Sequence, residues 1–142
     1  ISAGGFTIGS HGLTHASMTG FGTEDRFYEM AKSRAIIEQE ISKPVLLLAF
    51  PFGRYNRSCQ FAAKLAGYTA TYTTRFSYNT TSDGYVFHRW SVKYHTNIVE
   101  FERVINGNPL AVLNKKARST ANYLAGKLNL QLNLKPFKAA NV

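Results

Sequence analysis

Apolar and polar positions along this chain follow two rhythms, one of period two and one of period three to four. Gly5-Phe6-Thr7-Ile8-Gly9 reads as a short strand that enters a turn bounded by Gly9 and Ser10. Thr23 followed by Glu24 and Asp25 opens a helix with acids at the positive end of its dipole. Phe27, Met30, Ala31, Ile36, Ile37 and Ile41 form the apolar stripe of that helix, which ends near Ser42, ahead of Pro44. Residues 45–50 are an unbroken apolar run of strand length, the pattern of a strand covered by helices on both faces, and they lead into Pro51-Phe52-Gly53. Asn56 caps a helix from about Arg57 to Ala66, with Phe61, Ala62 and Leu65 facing inward and Gly67 as its stop.

Further on, residues 68–73 read as a strand, residues 75–84 as a polar, turn-rich segment, and residues 85–92 as strand-like. Asn97 and Glu100 resemble a capping box for a helix through Ile105. Asn108-Pro109 opens a last helix with Leu110, Leu113, Ala117, Ala121, Leu124, Ala125 and Leu128 on its apolar face. Leu128, Leu130, Leu132 and Leu134 then alternate with Asn and Gln, a strand pattern with one buried face that would pair with another segment or molecule. Strands alternating with helices predict an α/β fold, with a mostly parallel sheet and crossover helices.

With 142 residues, 44% hydrophobic and 13% aromatic, the chain has enough material for one domain with a real core. Cys59 is its single cysteine and leaves the redox compartment undecided. No run of eighteen apolar residues occurs, and the N-terminus lacks signal-peptide regions, so any export signal is expected to lie outside this chain. The net charge of +9 is unevenly spread, because seven basic residues from Arg103 to Lys138 follow the last acid, Glu102. That basic tail suits a solvated helix or contact with an anionic surface. No aromatic platform or nucleic-acid motif accompanies it, so no nucleic-acid partner is expected.

The sharpest chemical signal is His11 and His15, four residues apart beyond a strand end. Two imidazoles so spaced can hold one metal ion from one side, or they can simply be surface neighbours. Phe50-Pro51-Phe52-Gly53 at a second strand end favours the metal, because converging strand ends are how barrel-type active sites are assembled.

Residues 3–11 through His15, Lys43-Pro44-Val45, Ala49-Phe50-Pro51-Phe52-Gly53 and Ala66-Gly67-Tyr68 together resemble the later part of a polysaccharide deacetylase of carbohydrate esterase family four. The Ala-Phe-Pro-Phe-Gly form is similar to that of biofilm poly-N-acetylglucosamine deacetylases, and the likeness runs from about Ile1 to Ile105. It implies a partial (β/α) barrel over residues 1–106 whose N-terminal strands are missing. Residues 107–142 would then be a basic helix and leucine-alternating extension of the same domain. The implied reaction is hydrolysis of N-acetyl groups on a polysaccharide by water activated on a divalent metal, most commonly zinc, in the cell envelope or outside the cell.

By the same resemblance, His11 and His15 are metal ligands and the Phe52 backbone N–H is an oxyanion donor. Phe50, Pro51, Phe52 and Tyr55 line a sugar groove, with Arg89 and Trp90 at its rim. Val86-Phe87-His88 is the nearest match to the family's late leucine-x-histidine motif, making His88 a candidate general acid, with His95 a weaker one. Two departures stand out. The family's pair of adjacent aspartates, base and third ligand, has no counterpart, since the chain holds only Asp25 and Asp83. Ala49 also stands where many members carry an arginine. A deacetylase-like glycan-binding domain without catalysis is therefore the rival reading, and a basic module for anionic polymer a third.

Overall fold

Three short parallel strands form the centre of the computed structural model, which describes residues 4–80, 84–94 and 96–127. The elements are α1 (Thr23–Ile41), β1 (Leu47–Ala49), α2 (Arg57–Leu65), β2 (Ala70–Thr73), β3 (Val86–His88), α3 (Ile98–Ile105) and α4 (Pro109–Lys127), with single 3-10 turns at Met18–Gly20 and Pro51–Gly53. The sheet order is β1-β2-β3, with Leu48 opposite Thr71 and Tyr72 opposite Phe87. This is the α/β architecture of parallel strands and crossover helices that the sequence predicts. The chain divides into two compact units, Ile1–Lys93 and Tyr94–Val142.

The first unit is built on Val45, Leu48 and Phe50, all fully buried against Met18, Met30, Cys59, Ala63 and Tyr68. Each large apolar side chain so buried contributes about 1.5–3 kcal/mol relative to exposure. Leu46, by contrast, is 42% exposed, so the apolar run is fully covered on one face rather than two. Residues 5–9 form no strand. The segment meets the sheet at one parallel bridge, Ser10 to Leu48, and starts from a turn in which Gly5 has φ 82°.

α1 begins and ends as its sequence predicts, with Ser42 in the left-handed region at φ 52° and its N–H bonded to Glu38 O. Its buried face overlaps the predicted stripe in part, for Met30 is buried and Ala31, Ile37 and Ile41 pack against the core. Arg26, Glu29, Met30 and Ser33 are buried, whereas Phe27 and Ile36 are 42% and 40% exposed. In α2 the inward positions are Cys59, Ala62 and Ala63, while Phe61 and Leu65 are 63% and 60% exposed. The small inward side chains let α2 pack closely against α1. Asn56 Oδ1 caps this helix from Cys59 N at 2.9 Å. Gly67, at φ 82°, closes it: Gly67 N–H donates to Lys64 O and Tyr68 N–H to Ala63 O, the paired bonds of a Schellman stop.

In the second unit, Asn97 Oδ1 caps α3 from Glu100 N at 2.7 Å, and Asn108 Oδ1 accepts from Ala111 N at 3.1 Å at the start of α4. Lys115 and Glu100 form an ion pair of 2.7 Å between these helices. Leu110 and Leu113, expected on a buried stripe, are 73% and 63% exposed. The leucine-alternating segment lies outside the described residues. No helix among the described residues is long and apolar enough to cross a membrane.

Two predictions follow from these contacts. A Cβ at Gly67 would collide with Arg34 Nη1, which donates to Ala66 O, and would force an L-residue to φ 82°. Gly67→Ala should therefore cost about 1–2 kcal/mol or more, read as a lower urea midpoint at unchanged slope. The Glu38 carboxyl is held below its usual range by the Val45 N–H it accepts and by the Arg34 guanidinium. A depressed folded-state pKa stabilises the fold above the unfolded value, about 4.3 for Glu, and that contribution is lost as pH falls through the lower folded value. The urea midpoint of Glu38→Gln should accordingly change less than wild type between neutral and acidic pH.

Candidate active site

Ser10 is the residue through which the histidine segment joins the sheet. Its N–H donates to Leu47 O at 2.8 Å, and Ala49 N–H donates to its carbonyl at 2.9 Å. His11 thereby arrives beside the end of β1, where its Nδ1 lies 2.6 Å from Ala49 O. A carbonyl can only accept, so Nδ1 carries a proton, and in the neutral ring the lone pair is left on Nε2. A backbone carbonyl behind one imidazole nitrogen, with the other nitrogen open, is the arrangement of a histidine ready to ligate a metal.

The chain then turns back on itself. Gly12 adopts φ 82° with its N–H on Ser10 Oγ at 3.2 Å, and Leu13 N and Thr14 N both donate to Glu29 Oε2 at 3.0 Å. His15 follows in the left-handed region at φ 60°, a conformation costing a non-glycine residue about 1–3 kcal/mol. Its ring centroid lies 4.9 Å from that of His11 and 5.0 Å from that of Phe52. The two imidazoles are thus brought together.

Phe50 N–H donates to Tyr72 O at 3.0 Å as the strand ends, and Pro51 starts a single 3-10 turn. Phe52 is also left-handed, at φ 57°, and its carbonyl accepts from Thr74 Oγ1 at 3.3 Å. Gly53 is required at φ 66° because a Cβ would run into the Thr74 hydroxyl and amide. The Phe52 amide has no hydrogen-bond partner among the described residues. Its ring is 57% exposed and carries the Arg54 guanidinium at 5.9 Å.

Phe50 and Pro51, expected in a sugar groove, are instead fully buried, and Phe50 stacks on Tyr55 at 5.4 Å with an interplanar angle of 8°. A ring with no exposed face has nothing to offer a sugar. Its role is to support the turn from below. Trp90 is half-buried.

Strand alternation sends Leu48 toward the helices and leaves Leu47 and Ala49 on the opposite face. There, with His11, Tyr72 and Arg89, they line an open cavity of about 430 Å³. His88 is not brought to the histidine pair. It lies on β3, about 14 Å or three strand spacings from Ser10. Its Nδ1 is 3.2 Å from Thr73 Oγ1, and its backbone is held by both ends of the Asn79 amide at 2.7 and 2.9 Å. A general acid must reach the leaving group within one hydrogen bond or one water, which this position does not provide at His11.

Asp25 sits in the first turn of α1, and Asp83 and His95 lie outside the described residues. Among the described residues no third His, Cys, Asp or Glu joins the two histidines. The donor set therefore fits a divalent metal as half of a site, two imidazoles with open positions.

Ser10, Glu29 and Ser33 are site residues that the hydrophobic pattern does not single out. Ser10 and Ser33 bond hydroxyl to hydroxyl in the core, and Ser33 and Glu29 look like ordinary solvated helix positions. The available signal is their i, i+4 spacing around the buried Met30, one helical face below the stripe that hydrophobicity alone favours.

The family model for polysaccharide deacetylases matches residues 1–71. The Bacillus subtilis strain 168 protein YxkH, named for the same family, is 29% identical over 86 residues, which is 60% of this chain and 31% of YxkH. The fold is similar to that of the Streptococcus pyogenes deacetylase PplD, solved in complex with acetate, with a TM-score of 0.61 and 17% identity over 69% of this chain and 42% of that one. IcaB from Ammonifex degensii gives a TM-score of 0.60 at 17% identity over 67% and 46%. A Bacillus cereus polysaccharide deacetylase gives 0.62 at 23% identity over 73% and 33%. The chain thus spans between 31% and 46% of the length of these relatives. With a family match over residues 1–71 of its 142, it belongs to the polysaccharide deacetylase family.

Proposed function

We propose that this chain carries the histidine-bearing part of a metal-dependent deacetylase that removes N-acetyl groups from an N-acetylglucosamine-containing polysaccharide. The observation that carries the reading is the imidazole pair: two rings 4.9 Å apart, one fixed through Nδ1 on a backbone carbonyl at the end of β1. His11 and His15 would hold the metal, and zinc is among the divalent ions that imidazole nitrogen suits. When bound, a divalent cation lowers the pKa of water and polarises an acetamide oxygen.

The chain's own groups supply the rest of what is proposed here. The Phe52 N–H, without a hydrogen-bond partner among the described residues, is suited to hold the acetamide oxygen as it gains charge, a role in which one preorganised donor is worth about 3–4 kcal/mol. The exposed Phe52 ring offers a face for a sugar. Arg89 supplies a cation to the cavity beside His11. Substrates of this class lie in the cell envelope or outside it, and we propose that location for the enzyme.

The absence of adjacent aspartates from the sequence favours one second reading, a glycan-binding domain without catalysis. The two readings separate on His11→Ala. Assayed on the native protein with poly-N-acetylglucosamine, the substitution should abolish acetate release under the first reading. It should leave sugar affinity nearly unchanged under the second. Zinc affinity should drop at least tenfold in both His11→Ala and His15→Ala while the far-ultraviolet circular dichroism stays as in wild type. Phe52→Ala keeps the backbone N–H and should raise KM severalfold with a much smaller change in kcat; an unchanged KM would remove the ring from the substrate groove.

A further inference from the structure

Glu29 lies on the buried face of α1, one turn from Ser33, and is 5% exposed. Among the described residues its carboxylate is met by backbone amides, Leu13 N and Thr14 N, both at 3.0 Å on Oε2. Those are the two residues immediately before His15. Bonds from amides to an ionised oxygen are roughly twice as strong as neutral ones, and a buried carboxylate left without them would be costly. Two further contacts act on the same segment: Ser10 Oγ accepts from Gly12 N at 3.2 Å and is itself bonded to Ser33 Oγ. Each amide from Gly12 to Thr14 is therefore tied to the Glu29–Ser33 face, directly or through Ser10. Only then does His15 enter its left-handed conformation at φ 60°.

We infer that Glu29 is the positioning residue of the histidine pair: its carboxylate clamps the Leu13 and Thr14 amides and so sets His15 against His11 before any metal arrives. The inference rests on the metal-binding reading of His11 and His15. A loop without this clamp would have to be ordered at the moment of binding, and that cost appears as lost affinity. Outer partners that orient metal ligands commonly change affinity by about 10–100-fold when removed. Glu29 touches neither ring in the structure, so its effect passes through the backbone it holds.

The test compares wild type, Glu29→Gln, Glu29→Ala and His11→Ala in the 142-residue chain. Zinc affinity is read by competition with a chromophoric chelator well below the unfolding temperature, so that only folded protein is counted. Amide hydrogen exchange at Leu13 and Thr14 is followed in the metal-free protein. Glu29→Gln keeps the shape but offers a weaker acceptor. It should bind zinc about tenfold more weakly and exchange those two amides faster, with Glu29→Ala further in the same direction where it folds. A Glu29→Gln protein with wild-type zinc affinity and wild-type exchange at both amides would overturn the inference. Wild type binding zinc no better than His11→Ala would instead sink the metal reading, and the two exchange rates would still decide whether Glu29 holds the loop.

Discussion

Everything at the site depends on the attachment of one residue, Ser10, to the edge of β1. Two backbone hydrogen bonds, Ser10 N to Leu47 O and Ala49 N to Ser10 O, join segments far apart in sequence. They place the histidine turn beside the turn that ends β1. His11 adds a third bond in the same place through Nδ1 on Ala49 O, and this bond also decides which nitrogen faces outward. Each hydrogen bond contributes only about 0.5–1.5 kcal/mol net. Their importance is geometric, because a parallel bridge fixes direction and register together and leaves His11 one place to go.

Strain and its compensation are concentrated at the same point. His15 and Phe52, two bulky residues in the left-handed region, face each other across 5.0 Å. Against about 1–3 kcal/mol of strain at each, the fold sets amide bonds to Glu29 and Ser10 on one side. On the other it sets the buried Phe50–Tyr55 stack and the Gly53–Thr74 contact. The turns persist because these surroundings over-determine them. Backbone held in such conformations clusters where function requires a group to be aimed.

Much of the fold is legible in the sequence, and the reasons it fails in places are specific. The starts of α2 and α3 follow from the capping side chains of Asn56 and Asn97, and the stops of α1 and α2 from Ser42 and Gly67, because caps act locally; α1 starts at Thr23 after Gly22 with no side-chain cap, its first turn marked by Glu24 and Asp25. Helix faces are harder. Periodicity points to Phe27 and Ile36 in α1 and to Phe61 and Leu65 in α2, yet the structure buries Arg26, Glu29 and Ser33 in one and small residues in the other. A polar group with a hydrogen-bond partner loses its objection to burial, and no hydrophobicity pattern encodes the partner. The histidine pair and the Pro-Phe-Gly turn are legible as types at a spacing. Phe50 and Pro51 are misread as substrate-facing because exposure depends on which way the strand end turns. His88 lies on β3, three strand spacings from Ser10, a separation that a match to a short motif does not report.

The central claim is that His11 and His15 form one half of a divalent-metal site, preset by the backbone behind them. A zinc-edge X-ray absorption spectrum of the protein with one equivalent of zinc tests it most directly. Two imidazole nitrogens are expected at about 2.0–2.1 Å, falling to one in His15→Ala. A shell of oxygen with no imidazole scattering, or a spectrum unaltered by that substitution, would contradict it.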